Sequence, residues 1–256
     1  MRPAGDLRAL VEAYLDELAL TPELDGLADP VRYSLEGGGK RIRPTLCLAT
    51  GEAAGADAEA LLPAAAALEL VHTFSLVHDD LPGLDDDDMR RGRPSTHVRF
   101  GEGVAVLAGD ALLGEAFRLA LSYPTPAVAR ELVQATLGMI GGQFLDLTAR
   151  RDDELALSHL KTGRLFDAAV GCALWVAGVP EREHEPWRRF AAEIGVLFQL
   201  VDDILDGDGY AESHGVDAAR QLADDAAARG SAFLDDIPAD TSVLADIVAG
   251  LAARTS

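Results

Sequence analysis

The chain has 256 residues, with 22 Lys and Arg against 43 Asp and Glu, a net charge of −21. So acidic a chain repels phosphate backbones, which excludes general nucleic-acid binding and leaves phosphate ligands only to local basic clusters or bridging cations. With 48% hydrophobic residues and only two cysteines, Cys47 and Cys172 in apolar runs, it is neither disordered, collagen-like nor a disulfide scaffold.

Ala and Leu supply 44 and 38 residues against 34 for Val, Ile and Thr together, which predicts an all-α protein. In chain order, Leu7, Leu10, Val11, Tyr14, Leu15 and Leu18 recur at helical spacing and form an amphipathic opening helix. Asp6, Glu12, Asp16 and Glu17 within it are unlike the apolar core of a signal peptide. Breaks follow at Gly37-Gly38-Gly39, Pro82-Gly83, Pro124-Thr125-Pro126, Val179-Pro180 and Gly207-Asp208-Gly209. Between them the spacing predicts long helices over about 44–55, 60–80, 103–122, 126–149, 154–178 and 186–206, then two shorter ones. Several are apolar nearly all round, as in ALLPAAAALELVHTFSLVHDD, and belong among other helices. The apolar run from Ala168 to Pro180 is too short to cross a bilayer, so a cytoplasmic protein with no membrane span is expected. No Pro/Gly/Ser-rich linker divides the chain, and residues 1–256 read as one helical domain.

Arginine outnumbers lysine by 20 to 2, which singles out Lys40 and Lys161. An ammonium is a compact point charge that guanidinium does not replace at a tight phosphate site. Asp202 and Asp206 stand at i and i+4 on one helix face, with Gln199 close to that face. Stacked like charges at a helix C-terminus are unfavourable, and a divalent cation offsets them; a few oxygens plus waters suit Mg²⁺. Alone this pattern is weak in a chain with 27 Asp, where Asp152-Asp153, Asp224-Asp225 and Asp235-Asp236 are idle pairs.

The first acidic run starts at Asp79-Asp80 inside an apolar helix and continues through Asp85 to Asp88, followed by Arg90, Arg91 and Arg93. His72 lies seven residues before Asp79, on its face. These groups either pair with one another or form a polyanion site, with Mg²⁺ bridging Asp to phosphate and Arg binding phosphate directly. Gly37 to Pro44 (GGGKRIRP) sets fixed cations behind a glycine-rich turn and lacks Walker-loop spacing. Lys161-Thr162-Gly163 repeats that theme inside a helix. Tyr210 and Ala211 exclude an EF-hand starting at Asp206. Ser75 beside His72 and His78 is a coincidence of helix faces, so no nucleophile–base pair stands out.

Together the segments resemble the trans-isoprenyl diphosphate synthases, most of all the bacterial farnesyl diphosphate synthases, from about Tyr33 to Asp206. The resemblance rests on GGGKRIRP (37–44), HTFSLVHDDLPGLDDDDMRRGRPSTH (72–97), AGDALL (108–113), GGQFLD (141–146), LKTG (160–163) and FQLVDDILD (198–206). It implies an isoprenoid-synthase helical bundle around a central active-site cavity, assembled as a homodimer. Asp79, Asp85 and Asp202, supported by Asp80, Asp203 and Asp206, are implied to hold about three Mg²⁺ ions on an allylic diphosphate. Arg90, Lys161, Thr162 and Gln199 are implied to touch the same substrate. Lys40, Arg43, His72 and Arg91 are implied to bind the diphosphate of isopentenyl diphosphate. The implied chemistry is ionisation of the allylic C–O bond, attack by the isopentenyl double bond and loss of a proton to the departing diphosphate. Metal and Arg stabilise the leaving group, and an apolar cavity shields the cation from water.

In this family, bulk just before the first aspartate motif limits product length. Phe74 lies five residues before Asp79, about 7.5 Å up the helix, which points to a fifteen-carbon product. Ten- and twenty-carbon products are the alternatives. The sequence departs from the family after Asp206, where a lysine-bearing loop normally follows; here the segment is shortened and no Lys occurs after Lys161. Arg220 is the nearest substitute by type, at the wrong spacing. Two rivals stay open: a class I terpene cyclase, which has no use for a second diphosphate site, and a non-catalytic accessory subunit of a heteromeric synthase.

Overall fold

The computed structural model describes residues 1–36, 38–148 and 154–255; Gly37 of the glycine-rich turn and the pair Asp152-Asp153 lie outside them. The protein is all-α. Its elements run α1 (Ala4–Asp16), α2 (Ala28–Glu36), α3 (Ile42–Ala53), α4 (Ala58–Asp79), a small hairpin of β1 (Met89–Arg90) and β2 (Arg93–Pro94), α5 (Thr96–Phe100), α6 (Glu102–Ala120) and α7 (Ala127–Leu147). There follow α8 (Glu154–Ser158), a π-helical turn His159–Gly163, α9 (Arg164–Val176), α10 (Glu185–Asp206), α11 (Gly209–His214), α12 (Val216–Asp235) and α13 (Ser242–Ala252).

Helix α4 is the centre, packed against α1, α2, α3, α6, α7 and α9. Ala64 to Leu68 are buried consecutively, so every face of the helix meets another helix. It is also the one helix among the described residues long and apolar enough to cross a bilayer, with 67% of its window buried inside the protein. That burial accounts for its hydropathy, and Ala168 to Leu174 of the Ala168–Pro180 run belong to the same interior, whereas the run ends exposed at Gly178 and Pro180. The opening helix buries Leu7, Val11 and Leu15 at four-residue spacing, each worth about 1.5–3 kcal/mol. Small residues set the closest approaches: α12 lays Ala219, Ala223, Ala226 and Gly230 along α10.

Two expectations change. The segment predicted as one helix over 154–178 is interrupted by the π turn, because the wider turn lets the chain pass two neighbouring helices at backbone distance. A Cβ on Gly142 would lie 2.8 Å from the backbone N of Lys161, and one on Gly195 would lie 3.1 Å from Cα of Gly163. The C-terminal part expected as two shorter helices is three, and α12 with 20 residues is not short. Its alanine-rich packing stripe carries a weak hydrophobic signal, which hid its length.

Candidate active site

The first acidic run lies where α4 ends. Leu81 to Asp88 fold back on the helix: the N–H of Asp85 donates to the carbonyl of Asp79 (2.8 Å) and that of Asp87 to the carbonyl of Asp80 (3.1 Å). This brings the Asp85 carboxylate beside that of Asp79. Burial, reinforced by Asp85 and Asp80, pushes the Asp79 carboxyl up to about 6 although Lys161 and Arg90 pull it down. Asp80 points the other way. It is 2% exposed and accepts hydrogen bonds from Arg90, one through Nε at 2.8 Å, while Arg90 also reaches Asp87 at 2.9 Å. The pairing of acids with arginines foreseen as one reading is thus real for Asp80 and Asp87; among the described residues Asp79 and Asp85 have no cation paired with them.

The hairpin aims the next arginines. Arg91 and Gly92 both have positive φ (53° and 74°), the two-residue turn that matches strand twist. Arg90 therefore returns to α4, while Arg91 reaches the glycine-rich turn and donates to the carbonyl of Gly38. A Cβ on Gly39 would lie 2.9 Å from that guanidinium, so the glycine makes room for it. Within the same turn, Arg41 forms a buried ion pair with Glu69 of α4 and donates to the carbonyl of Leu35 (2.6 Å). Arg41 thus anchors the loop that presents Lys40 and Arg43.

Arg43 is 8% exposed and makes no ion pair among the described residues; its guanidinium lies 4.9 Å and 5.2 Å from the ring centres of Phe166 and Phe198, and its Nε has no hydrogen-bond partner. Burial pulls its pKa down to about 10, against Glu69 and Asp202, so it stays charged at neutral pH. His72 is surrounded by Arg43, Arg91, Arg41 and Arg90; burial and those charges hold its pKa well below the usual value, so its ring is neutral. A charged buried group with an orphaned donor is costly unless an anion completes it.

Across the cavity, the π turn presents Lys161 and Thr162. Lys161 pairs with Asp146 at 2.8 Å. On α10, Asp202 pairs with Lys40 at 3.1 Å and lies 3.9 Å from Arg254. Asp203 is 3% exposed and accepts from Gln199 Nε2 (2.6 Å) and the N–H of Tyr210 (3.0 Å), which fixes the segment after Asp206. Asp206 is exposed at the helix end. Arg220 pairs with Asp217 on α12 and lines none of the clefts described next.

Three adjoining hollows share these walls. An apolar chamber of about 370 Å³ runs between α4 and α7, past Phe74, Met139, Ile140 and Phe144, with Asp79 at its rim. A cationic cleft of about 570 Å³ holds Lys40, Arg43, His72, Arg90, Arg91 and Asp202. A third hollow of about 400 Å³ lies by Asp146, Lys161 and Asp203. Thr162 lines all three, and Arg43 and His72 line the first two. The structure thus gathers every predicted site residue except Asp80, Asp85 and Asp206 into the linings of these hollows, turns Asp80 away from them towards Arg90, and sets Asp85 next to Asp79.

Among the described residues no three Asp, Glu, His or Cys side chains converge closely enough to enclose an ion. The oxygen-only donors Asp79 and Asp85, adjacent and without paired cations, do fit one face of an Mg²⁺ ion that completes its shell with water and phosphate. Three contributors escaped the sequence reading. Gln143 and Asp146 sit in the GGQFLD segment but had no role attached. Arg254, in the last turn, gave no signal because only the fold brings it to Asp202.

Residues 25–227 match the polyprenyl synthetase family. The chain belongs to that family. Its family relatives include a geranylgeranyl diphosphate synthase of Cyanophora paradoxa, 44% identical over 193 residues that cover 70% of this chain and 64% of the relative. The chain thus spans just under two thirds of that relative's length. A farnesyl diphosphate synthase of Bacillus subtilis is 43% identical over 206 residues, covering 75% of this chain and 70% of the relative. Among solved structures, an isoprenoid synthase family member from Thermotoga neapolitana superposes with a TM-score of 0.87 at 31% identity, covering 96% of this chain and 98% of that one.

Proposed function

We propose that the protein is a Mg²⁺-dependent trans-prenyltransferase that condenses isopentenyl diphosphate with an allylic diphosphate and releases farnesyl diphosphate. The observation that carries this reading is Arg43: a buried, charged guanidinium, with no ion pair among the described residues and an unsatisfied Nε, on the wall shared by a cationic cleft and an apolar chamber. One anionic head in the cleft beside a second substrate's hydrocarbon chain in the chamber is the arrangement that condensation needs.

Lys40, Arg43 and Arg91 bind the diphosphate of the five-carbon donor, and neutral His72 adds a hydrogen bond without another charge. The allylic chain lies in the chamber with its diphosphate towards Asp79, Asp85 and Asp202, where Arg90, Lys161, Thr162 and Gln199 orient it. Those three carboxylates, with Asp80, Asp203 and Asp206 in support, would hold Mg²⁺, which would supply positive charge against the charge growing on the leaving diphosphate. The chamber's apolar wall keeps water from the allylic cation. The donor's double bond then closes the new C–C bond, and a proton leaves the adjacent carbon for the released diphosphate. His72 is a weak base there, since burial and the surrounding arginines depress its pKa.

The fifteen-carbon product rests on Phe74, 7% exposed and lining the chamber. A twenty-carbon product is the second reading, favoured by the names of plant and algal relatives at 38–44% identity. We also propose a homodimer through the apolar face of α6 and α7, where Leu107, Leu137, Ile140 and Phe144 are exposed, and a cytoplasmic location. Mass spectrometry of products from isopentenyl diphosphate with dimethylallyl, geranyl or farnesyl diphosphate and Mg²⁺ tests the reading. Fifteen-carbon product is expected; longer product keeps the reaction and removes the Phe74 argument.

A further inference from the structure

The wall of the apolar chamber facing α6 is built in an unusual way. Among the described residues α6 contributes no side chain to the chamber lining. Two rings of α4 one helical turn apart, Phe74 and His78, line the chamber there, and His78 also reaches α6. They meet edge-on with centroids 4.9 Å apart and planes at 72°. The imidazole is seated in a notch that exists because residue 109 is glycine. A Cβ there would overlap the ring, and even its Cε1 atom would be only 3.0 Å away. From the notch His78 Nε2 reaches the carbonyl of Val106 at 3.0 Å; a carbonyl only accepts, so Nε2 carries the hydrogen. One ring is therefore pinned by a hydrogen bond, by the missing Cβ and by Phe74.

We propose that His78, seated by Gly109, is a second product-length determinant that closes the side passage between α4 and α6, while Phe74 blocks the passage along α4. The inference rests on the prenyltransferase reading and deepens it. Phe74 alone stops a chain growing straight up the helix; a growing chain that bends towards α6 meets His78 first. Removing the imidazole opens the notch beside the chamber and frees the Phe74 ring from its neighbour. Adding a Cβ at Gly109 evicts the imidazole from its seat and turns it into the chamber, which shortens the space left for product.

The test is a product-length profile, at equal substrate consumption, of the wild type, Phe74→Ala, His78→Ala, Gly109→Ala and the His78→Ala/Gly109→Ala pair. His78→Ala is expected to raise the ratio of twenty- to fifteen-carbon product at least about tenfold, with total turnover within about fivefold of wild type. Gly109→Ala is expected to move the profile towards ten carbons, and to do nothing once His78 is already Ala. An unchanged profile in His78→Ala, while Phe74→Ala lengthens the product, overturns the proposal. So does a Gly109→Ala effect of equal size in both backgrounds. Absence of any product from the wild type strikes the prenyltransferase reading instead, and is distinguishable from both.

Discussion

The two aspartate motifs share their letters and differ in what answers their charge. In each, the second aspartate is turned inward: Asp80 is 2% exposed and Asp203 is 3% exposed. Asp80 is met by the guanidinium of Arg90, whereas Asp203 is met by an amide and a backbone N–H. The outer aspartates reverse the pattern. Asp79, with Asp85 beside it, has no cation paired with it among the described residues, while Asp202 is held by Lys40 with Arg254 close by. In both places the inner carboxylate builds local structure and the outer one faces the cavity. The counter-charge sits inside at the first motif and outside at the second. The first motif is thus the side short of positive charge, and there a divalent cation gains most.

Breaking that contrast at Asp79 has the largest expected effect. Asp79→Ala should lower kcat by about a thousandfold or more, as loss of a transition-state charge clamp does, with Tm unchanged or raised. Its neighbour should behave oppositely in stability. Asp80→Ala strands Arg90, whose side chain is 35% exposed, and should cost about 2 kcal/mol, about 4–8 °C in Tm by differential scanning calorimetry.

Acidity sharpens the same contrast. The Asp79 carboxyl is pushed up to about 6 from 3.8, so the folded chain holds its proton more tightly than the unfolded one. Its contribution to stability is full below the unfolded value and is lost as pH rises through about 6. Metal-free Asp79→Asn should therefore be more stable than wild type at pH 7.5, by about 1 kcal/mol after allowing for solvent contact, and equal to it near pH 4. Adding Mg²⁺ with a diphosphate should raise the Tm of wild type and leave that of the variant in place. The smallest effect belongs to Arg254→Ala, a distant and partly exposed partner of Asp202. A rise of about two- to fivefold in KM for isopentenyl diphosphate, with kcat unchanged, is expected from steady-state kinetics.

Helix positions were legible wherever apolar spacing was dense, as in α4 and α10, and the breaks at Pro82-Gly83, Pro124-Thr125-Pro126 and Val179-Pro180 fell between elements. Alanine stripes hid α12, and nothing in Leu160 to Gly163 announced that a helix would widen there. That widening answers Gly142 and Gly195, which lie far away in sequence. The cavity residues were legible as motifs because each carries its chemistry in its own side chain. The division of labour inside each motif was not, since Asp79 and Asp80 read alike until the returning hairpin places Arg90 beside one of them. Arg254 and the seat of His78 at Gly109 depend wholly on tertiary contact.

The most direct test of the central claim is diphosphate release by the purified chain with isopentenyl diphosphate, geranyl diphosphate and Mg²⁺, each supplied alone and together. The account predicts release only when both substrates and the metal are present, and none from Asp79→Ala. Release from geranyl diphosphate alone, or none from the folded wild type with any allylic primer, would contradict it.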